Sequence, residues 1–182
     1  MKTKIVLSSL AVMMFSASAL ASTPASYDTK FNVRANVPDS AHIVTPDGKP
    51  VTDVDIELTA NGLVGSKMEA KSPQLMLWNN DVNKLDVTLV MDDSQSATGG
   101  AFTLYSTQGG VLNTMTYKIN TIDGTGTKSF ATSGATQDYT LTANGTHGQL
   151  PLQWQFVSDA DYTALGQGLY TGVVYANVNA KA

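Results

Sequence analysis

The stretch Lys30-Phe31-Asn32-Val33-Arg34-Ala35-Asn36-Val37-Pro38 alternates strictly between polar and apolar residues until a proline ends it. Because successive side chains of a β-strand point to opposite faces, its apolar face consists of Phe31, Val33, Ala35 and Val37. Such a face must cover a core. The segment is therefore either the first strand of its own sandwich or a free strand that is added to a neighbouring chain.

The end of the chain contains a second strand-like segment. Residues 168–178, Gly-Leu-Tyr-Thr-Gly-Val-Val-Tyr-Ala-Asn-Val, predict a last strand with almost nothing after it. A free strand near the start, together with a sandwich that ends on a strand, suggests subunits joined by strand exchange. This pattern favours a building block over a catalyst.

Residues 1–21 have the three parts of a secretory signal. Lys2 and Lys4 supply the positive start, residues 5–15 the apolar stretch, and Ala19 and Ala21 the small residues of the cleavage site. The apolar stretch is shorter than the roughly 20 residues that a membrane-spanning helix needs. We therefore expect cleavage after Ala21, export, and no stable membrane insertion.

Charge and cysteine content exclude several classes of partner. The signal holds two of the eleven basic residues and none of the fifteen acidic ones, so the mature chain has nine basic against fifteen acidic residues and a net charge of −6. No basic face is available to displace counterions from nucleic acid, and the acidity argues against binding to anionic membranes by charge. Without cysteine, packing or a partner must stabilise the exported domain.

Short alternating segments separated by turn signals recur at roughly ten-residue spacing. Strands are predicted at residues 54–58, 74–78, 85–91, 101–105, 111–119, 139–143 and 150–156, with a poorly defined one around 128–131. Pro151 lacks an amide hydrogen, which predicts that its strand begins there or lies at an edge. Only residues 159–165 favour a helical turn. About eight or nine strands of this kind indicate one all-β sandwich.

No group of residues with recognisable catalytic chemistry is present in the sequence. His42 and His147 each stand alone, whereas a metal site needs three or four converging ligands. Without cysteine, and with serine mostly in turns, no nucleophile triad can be recognised. The carboxylate pairs Asp53/Asp55, Asp92/Asp93 and Asp159/Asp161 are expected to keep the surface hydrated. We therefore predict no catalytic, cofactor or metal site, and no enzymatic activity.

The two tryptophans leave a sugar-binding function open. Trp154 shares a strand face with Leu152 and Phe156, which predicts core packing. Trp78 lies on the face opposite Leu77, where its ring could stack on a sugar. A monomeric secreted β-sandwich that binds carbohydrate is therefore the alternative function, and a secreted enzyme of unknown type is a third.

Four short motifs, in order along the chain, carry a family resemblance. They are residues 30–38, the turn Thr45-Pro46-Asp47-Gly48-Lys49-Pro50, residues 79–89 (Asn-Asn-Asp-Val-Asn-Lys-Leu-Asp-Val-Thr-Leu), and residues 168–174 (Gly-Leu-Tyr-Thr-Gly-Val-Val). Their order and spacing resemble those of major subunits of the alternate chaperone–usher fimbriae, also called class 5 colonisation-factor fimbriae. Residues 99–149 contain no matching motif.

The resemblance implies an incomplete immunoglobulin-like β-sandwich, completed by a donor strand from a neighbouring subunit. Residues 22–38 would form the N-terminal leader and donor strand, which seats Phe31, Val33, Ala35 and Val37, and residues 39–182 would form the pilin sandwich. The acceptor groove beside the last strand would include Tyr170, Gly172, Val174, Ala176 and Val178.

The resemblance also implies partners and a location. The chain would be a structural subunit of the fimbrial shaft that supports cell adhesion, a homopolymer of identical subunits joined by donor-strand exchange. A periplasmic chaperone would cap it, an outer-membrane usher would polymerise it, and a tip adhesin is a further partner that the family allows. Export would run through the periplasm to the cell surface, and no cofactor is implied.

Overall fold

The computed structural model describes residues 41–106 and 113–181, and these residues form antiparallel strands joined by turns. The strands are β1 (Ala41–Val44), β2 (Thr59–Ala60), β3 (Lys67–Lys71), β4 (Leu75–Asn79), β5 (Asp86–Asp93), β6 (Phe102–Ser106), β7 (Asn113–Asp123), β8 (Gly126–Phe130), β9 (Ala135–Thr140), β10 (Thr142–Asn144), β11 (His147–Asp161), β12 (Tyr170–Thr171) and β13 (Val174–Ala180). A single 3₁₀ turn, Tyr162–Ala164, follows β11. The prediction of an all-β fold is confirmed. The predicted signal and donor segment, with Ala19, Ala21, Phe31, Val33, Ala35 and Val37, lie outside the described residues.

Two sheets of unequal size make up the described fold. The larger has the order β1-β4-β11-β7-β6-β12, with β2, β3, β8 and β10 attached beside this path, and the smaller has the order β13-β5-β9. The 15-residue β11 organises the larger sheet, because β4 and β3 pair with it one after the other on one side and β10 and β7 on the other. At the break between β3 and β4, Ser72 continues the pairing, since its N–H donates to the carbonyl of Trp154 at 2.8 Å.

The core lies between the inner faces of the two sheets. In β5 the pattern of burial alternates residue by residue, and Val87, Leu89 and Met91 point inward with at most 2% of their surface exposed. The larger sheet contributes Phe102, Ile119, Phe130, Leu77 and Leu152, all almost fully buried. The face that the sequence predicts for β5 is confirmed, because a strand with one covered side must alternate with period two.

Pro151 lies inside β11, contrary to the prediction that its strand begins there or lies at an edge. On one side it pairs with Met76 of β4. On the other side β10 pairs as far as Gln149 and β7 begins to pair at Gln153, so no described strand faces Pro151 there. The proline fits this gap because a position without a neighbouring strand does not need the missing amide hydrogen.

Two further predicted strands differ from the structure. Residues 54–58 form no strand, and pairing begins only at Thr59. The predicted strand 139–143 is divided at Leu141 into β9 and β10, although the N–H of Leu141 still continues the pairing with the β5 side by donating to the carbonyl of Leu85 at 2.8 Å. Alternation of side chains predicts an extended chain, but a strand also requires a partner at the right distance.

Asp93 is a buried carboxylate at the end of β5. Its Oδ1 accepts a hydrogen bond from the N–H of Gln95 at 2.9 Å, and its Oδ2 accepts one from the N–H of Thr103 at 2.8 Å. Its own N–H donates to Ser133 Oγ at 2.9 Å. Burial raises the pKa of Tyr117 far above its ordinary value, and the negative charge of Asp93 acts in the same direction. Asp93 therefore joins the loop after β5 to the start of β6.

We expect Asp93→Ala to lower the free energy of unfolding by about 2–3 kcal/mol, because two backbone N–H groups lose their acceptor. The carboxylate of its neighbour Asp92 forms no hydrogen bond or ion pair within the described residues, and Asp92→Ala serves as the control, with an expected loss below about 1 kcal/mol. Urea unfolding of the purified mature chain measures both. Equal losses for the two variants would contradict this role of Asp93.

Candidate functional site

A long apolar groove of about 760 Å³ runs between the two sheets. One side is the segment Val51–Leu58, and the other is the chain from Gly168 to Ala176, which includes β12 and the start of β13. Core side chains form its floor, namely Met68, Leu75, Met91, Leu104, Met115, Tyr117, Trp154 and Phe156. The groove is therefore an opening into the core rather than a surface depression.

The last strand, β13, is an edge strand with one free side. Among the described strands it pairs only with β5, where Ala176 lies opposite Met91 and Val178 opposite Leu89. Its residues alternate between half-buried and exposed, and Val174, Ala176 and Val178 pack against the core. An edge strand leaves its outer N–H and C=O groups free to pair with another chain.

The structure places the predicted groove residues close together. Tyr170, Gly172, Val174 and Ala176 line the main groove, and Val178 lines a smaller adjoining cavity of about 270 Å³ beside β1. They do not belong to one strand, because β12 pairs with β6 of the larger sheet whereas β13 pairs with β5 of the smaller. The chain thus crosses between the sheets within the predicted segment.

Gly172 lies at this crossing, where the chain approaches β6 closely. A Cβ atom at this position would stand 2.7 Å from Cδ2 of Leu104 and 3.1 Å from the carbonyl oxygen of Thr103. The absence of a side chain therefore lets the crossing segment lie against β6 and keeps this part of the groove open.

The opposite side of the groove is a segment without backbone partners. The N–H of Val51 donates to the carbonyl of Ile43 at 3.0 Å, but no backbone hydrogen bond joins residues 52–58 to any other described residue. The segment makes no turn or bend along this length. Ile56 and Leu58 are half-buried and line the groove, whereas residues 52–55 and Glu57 are exposed to solvent. Sequence alternation recognised the extended chain here but could not show that its partner is missing.

The floor of the groove contains a buried polar atom without a partner. Trp154 is only 4% exposed, as predicted for a core residue, and its Nε1–H donates a hydrogen bond to no described residue. Leaving a buried N–H unsatisfied costs roughly 1–3 kcal/mol. The cost belongs to the floor itself, because this atom has almost no exposed surface.

Three methionines, Met68, Met91 and Met115, line the floor together with Trp154. Methionine side chains are unbranched and adapt to differently shaped neighbours. Large apolar side chains along the rim remain exposed, with Leu169 at 72% and Val173 at 51%. Exposed apolar surface that continues into a groove is typical of a site that another molecule covers.

Trp78, the candidate sugar-stacking residue, is already engaged. Its ring stacks on that of His147 at a centroid distance of 3.5 Å, and its Nε1 donates to Asn80 Oδ1 at 2.8 Å. One face of the indole is therefore covered by imidazole. His42 lies next to Trp78 in the sheet, as the residue paired with it across β1 and β4.

Within the described residues, no three His, Asp or Glu side chains converge in a way that could hold a metal ion. In the same part of the chain, no helix is long and apolar enough to cross a membrane.

The fold is similar to those of several solved structures at low sequence identity. One is the CooA pilin subunit from enterotoxigenic Escherichia coli, with 13% identity and a TM-score of 0.47 over 77% of this chain and 86% of that chain. Another is the CFA/I adhesin CfaE of enterotoxigenic E. coli in a mutant form, with 12% identity and a TM-score of 0.49 over 79% of this chain and 44% of that chain.

A third is a chaperone–tip adhesin complex of CFA/I fimbriae biogenesis, with 16% identity and a TM-score of 0.47 over 79% of this chain and 43% of that chain. The present chain thus spans less than half the length of the chains matched in the last two structures. No protein-family model and no curated protein matches the sequence. The three structures are thus of a fimbrial pilin subunit, an adhesin and a chaperone–tip adhesin complex.

The alternation of β13 makes a direct test of the groove possible. We expect Ala176→Asp to lower the free energy of unfolding by about 1–3 kcal/mol, because it places a charge among core side chains. The matched control is Asn177→Asp, which adds the same charge to the exposed face of the same strand and should change stability by less than about 0.5 kcal/mol. Thermal unfolding of the two mature variants provides the comparison, and equal shifts would contradict the assigned faces.

Proposed function

We propose that this chain is a structural subunit of a surface fimbria and that it polymerises by donor-strand exchange. The observation that supports this function best is the groove between Val51–Leu58 and β13. Both of its sides are extended chain with unpaired backbone among the described residues, and its floor is the hydrophobic core. An added strand would satisfy the backbone on both sides and cover the floor at the same time.

The segment Phe31–Val37 has the chemistry of the missing strand. Its four alternating apolar side chains would be worth roughly 4–10 kcal/mol when seated, after discounting the small Ala35. Some eight backbone hydrogen bonds would each add about 1 kcal/mol. When one copy donates this strand to the groove of the next, the contact is heterologous and does not close, so the assembly grows as a filament.

The other partners follow from the same groove. An open core groove exposes a subunit to misassembly until a strand fills it, so a periplasmic chaperone is the proposed first occupant. An outer-membrane usher would then exchange it for the donor strand of the next copy. The subunit would be exported to the cell surface as part of a shaft supporting adhesion, with a tip adhesin at its end. In this role the chain is not an enzyme.

Polymer formation can be tested on an unboiled denaturing gel of cells that carry the chain's own secretion genes. We expect the native chain to give a ladder that collapses to one band on boiling, since the sequence has no cysteine to cross-link it. Combining Val33→Asn with Val37→Asn should abolish the ladder by burying polar groups in the groove. The control, Asn32→Gln with Asn36→Gln, changes the polar face and should keep the ladder.

A mixing experiment separates loss of assembly from loss of folding. The chain with Val33→Asn and Val37→Asn, here called the donor-defective chain, keeps its groove, and the Ala176→Asp chain keeps its donor segment. Expressed together with tags of different size, they should give one mixed dimer and no longer ladder. A native chain that stays monomeric before boiling would contradict the proposed function, and so would a ladder formed by the donor-defective chain alone.

Occupation of the groove should also be visible by tryptophan fluorescence. In the donor-defective mature chain carrying Trp78→Phe, Trp154 is the only tryptophan and lines the groove floor. A synthetic peptide of residues 27–38 should change its emission in a saturable way, because the occupant excludes water from the groove that Trp154 lines. The same peptide with Val33→Asn and Val37→Asn should produce no saturable change. A native peptide without effect would argue against strand binding at this site.

A further inference from the structure

The segment that forms one side of the groove carries a row of acidic side chains. Asp53, Asp55 and Glu57 alternate along it, and all three are exposed. The ion pairs formed by the described residues are Asp47 with Lys49, Lys118 with Asp159, and Lys181 with Asp138, so none involves this row. Three negative charges thus stand beside the groove without a cation to pair with in the described part of the chain.

The opposite side of the groove has no such charge. The exposed residues of β13 are Tyr175, Asn177 and Asn179, which are neutral. A strand lying in the groove would therefore have an acidic neighbour on one side only. This asymmetry matters because the outer face of an added strand lies level with the outer faces of both neighbours.

The segment proposed to fill the groove has the complementary charge on its polar face. Lys30 and Arg34 alternate there with Asn32 and Asn36, while the opposite face is apolar. Lys30 and Arg34 are separated by four residues, as are Asp53 and Glu57. In extended chain this separation is about 13 Å in both segments, so both pairs can meet in a parallel or in an antiparallel arrangement.

We propose that the acidic row Asp53, Asp55 and Glu57 is a recognition edge that selects the basic polar face of a second copy's donor segment, Lys30–Val37. The inference rests on the proposed function, because it assigns the specificity of the same groove. Apolar side chains seated in the core supply most of the affinity, but any alternating strand has them. Opposite charges across neighbouring strands discriminate between strands and accelerate encounter.

The test measures binding of two fluorescent peptides to the donor-defective mature chain, whose own segment cannot fill the groove. One peptide is native residues 27–38, and the other carries Lys30→Glu and Arg34→Glu with the same apolar residues. At about 0.1 M salt we expect the charge-reversed peptide to bind about 3- to 30-fold more weakly, as expected for two or so exposed charge pairs. At about 1 M salt, where the screening length falls to about 3 Å, the difference should largely disappear.

Matched receptor variants attribute the difference to the acidic row. The acidic-row variant combines Asp53→Asn, Asp55→Asn and Glu57→Gln, which raises the net charge of the chain by three. We expect this variant to bind both peptides equally. The control, Thr127→Lys with Ser129→Lys and Thr142→Lys, raises the net charge by the same amount at exposed positions that do not line the groove, and it should still prefer the native peptide.

The outcomes separate this inference from the proposed function. Equal binding of both peptides at low salt overturns charge recognition while leaving strand binding intact. If neither peptide binds, the proposed function fails, and the inference with it. Preference for the native peptide that persists in the acidic-row variant overturns the inference, because it places the recognition elsewhere.

Assembly in cells provides an independent readout that needs no isolated monomer. We expect either of two charge reversals to reduce the multimer fraction on the unboiled gel. One is Lys30→Glu with Arg34→Glu in the donor segment, and the other is Asp53→Lys with Glu57→Lys in the acidic row. Combining the two reversals in one chain should restore it. Single reversals without effect, or a combined variant that does no better than either, would overturn the proposal.

Discussion

The structure depends on an unmet requirement of its backbone. Every N–H and C=O group that lies beside a core needs a hydrogen-bond partner, and the described chain supplies none along residues 52–58 or along the outer side of β13. The two edges flank the same groove, and the groove opens directly onto core side chains. One added strand would satisfy both edges and cover the floor, which is why the arrangement favours an assembling subunit over a self-sufficient domain.

The remainder of the fold provides a rigid support for this opening. β11 connects β3, β4, β7 and β10 within one sheet, and β5 holds β13 and β9 within the other. Asp93 ties the two sheets together through its bonds to the loop and to β6. By contrast, the floor of the groove is built from methionines and a tryptophan whose N–H has no partner. Because methionine side chains adapt to differently shaped neighbours, such a floor can accommodate the added strand that we propose.

Alternation was a good guide wherever a strand has its partner within the chain. The inward residues Val87, Leu89 and Met91 and the core position of Trp154 follow from period two alone. Alternation gave wrong predictions where strand pairing depends on distant parts of the chain. Residues 54–58 alternate but remain unpaired, and Pro151 lies inside the longest strand because β10 and β7 leave its position without a neighbour on one side. Sequence periodicity describes side chains, whereas a sheet is defined by backbone partners.

Three properties could be predicted from the residues alone: the all-β class, the single apolar face of most strands, and the shared face of Val174, Ala176 and Val178 on the last strand. These properties are local, since they depend on side-chain alternation and on turn residues. The tertiary structure was needed to show that Tyr170 belongs to a different sheet from β13, with Gly172 at the crossing between them. It was also needed to show that Val51–Leu58 forms the opposite side of the groove and that acidic side chains stand on that side alone. The groove could not be predicted from alternation because it forms between segments that are distant in sequence. Its shape and charge are set by how the two sheets pack.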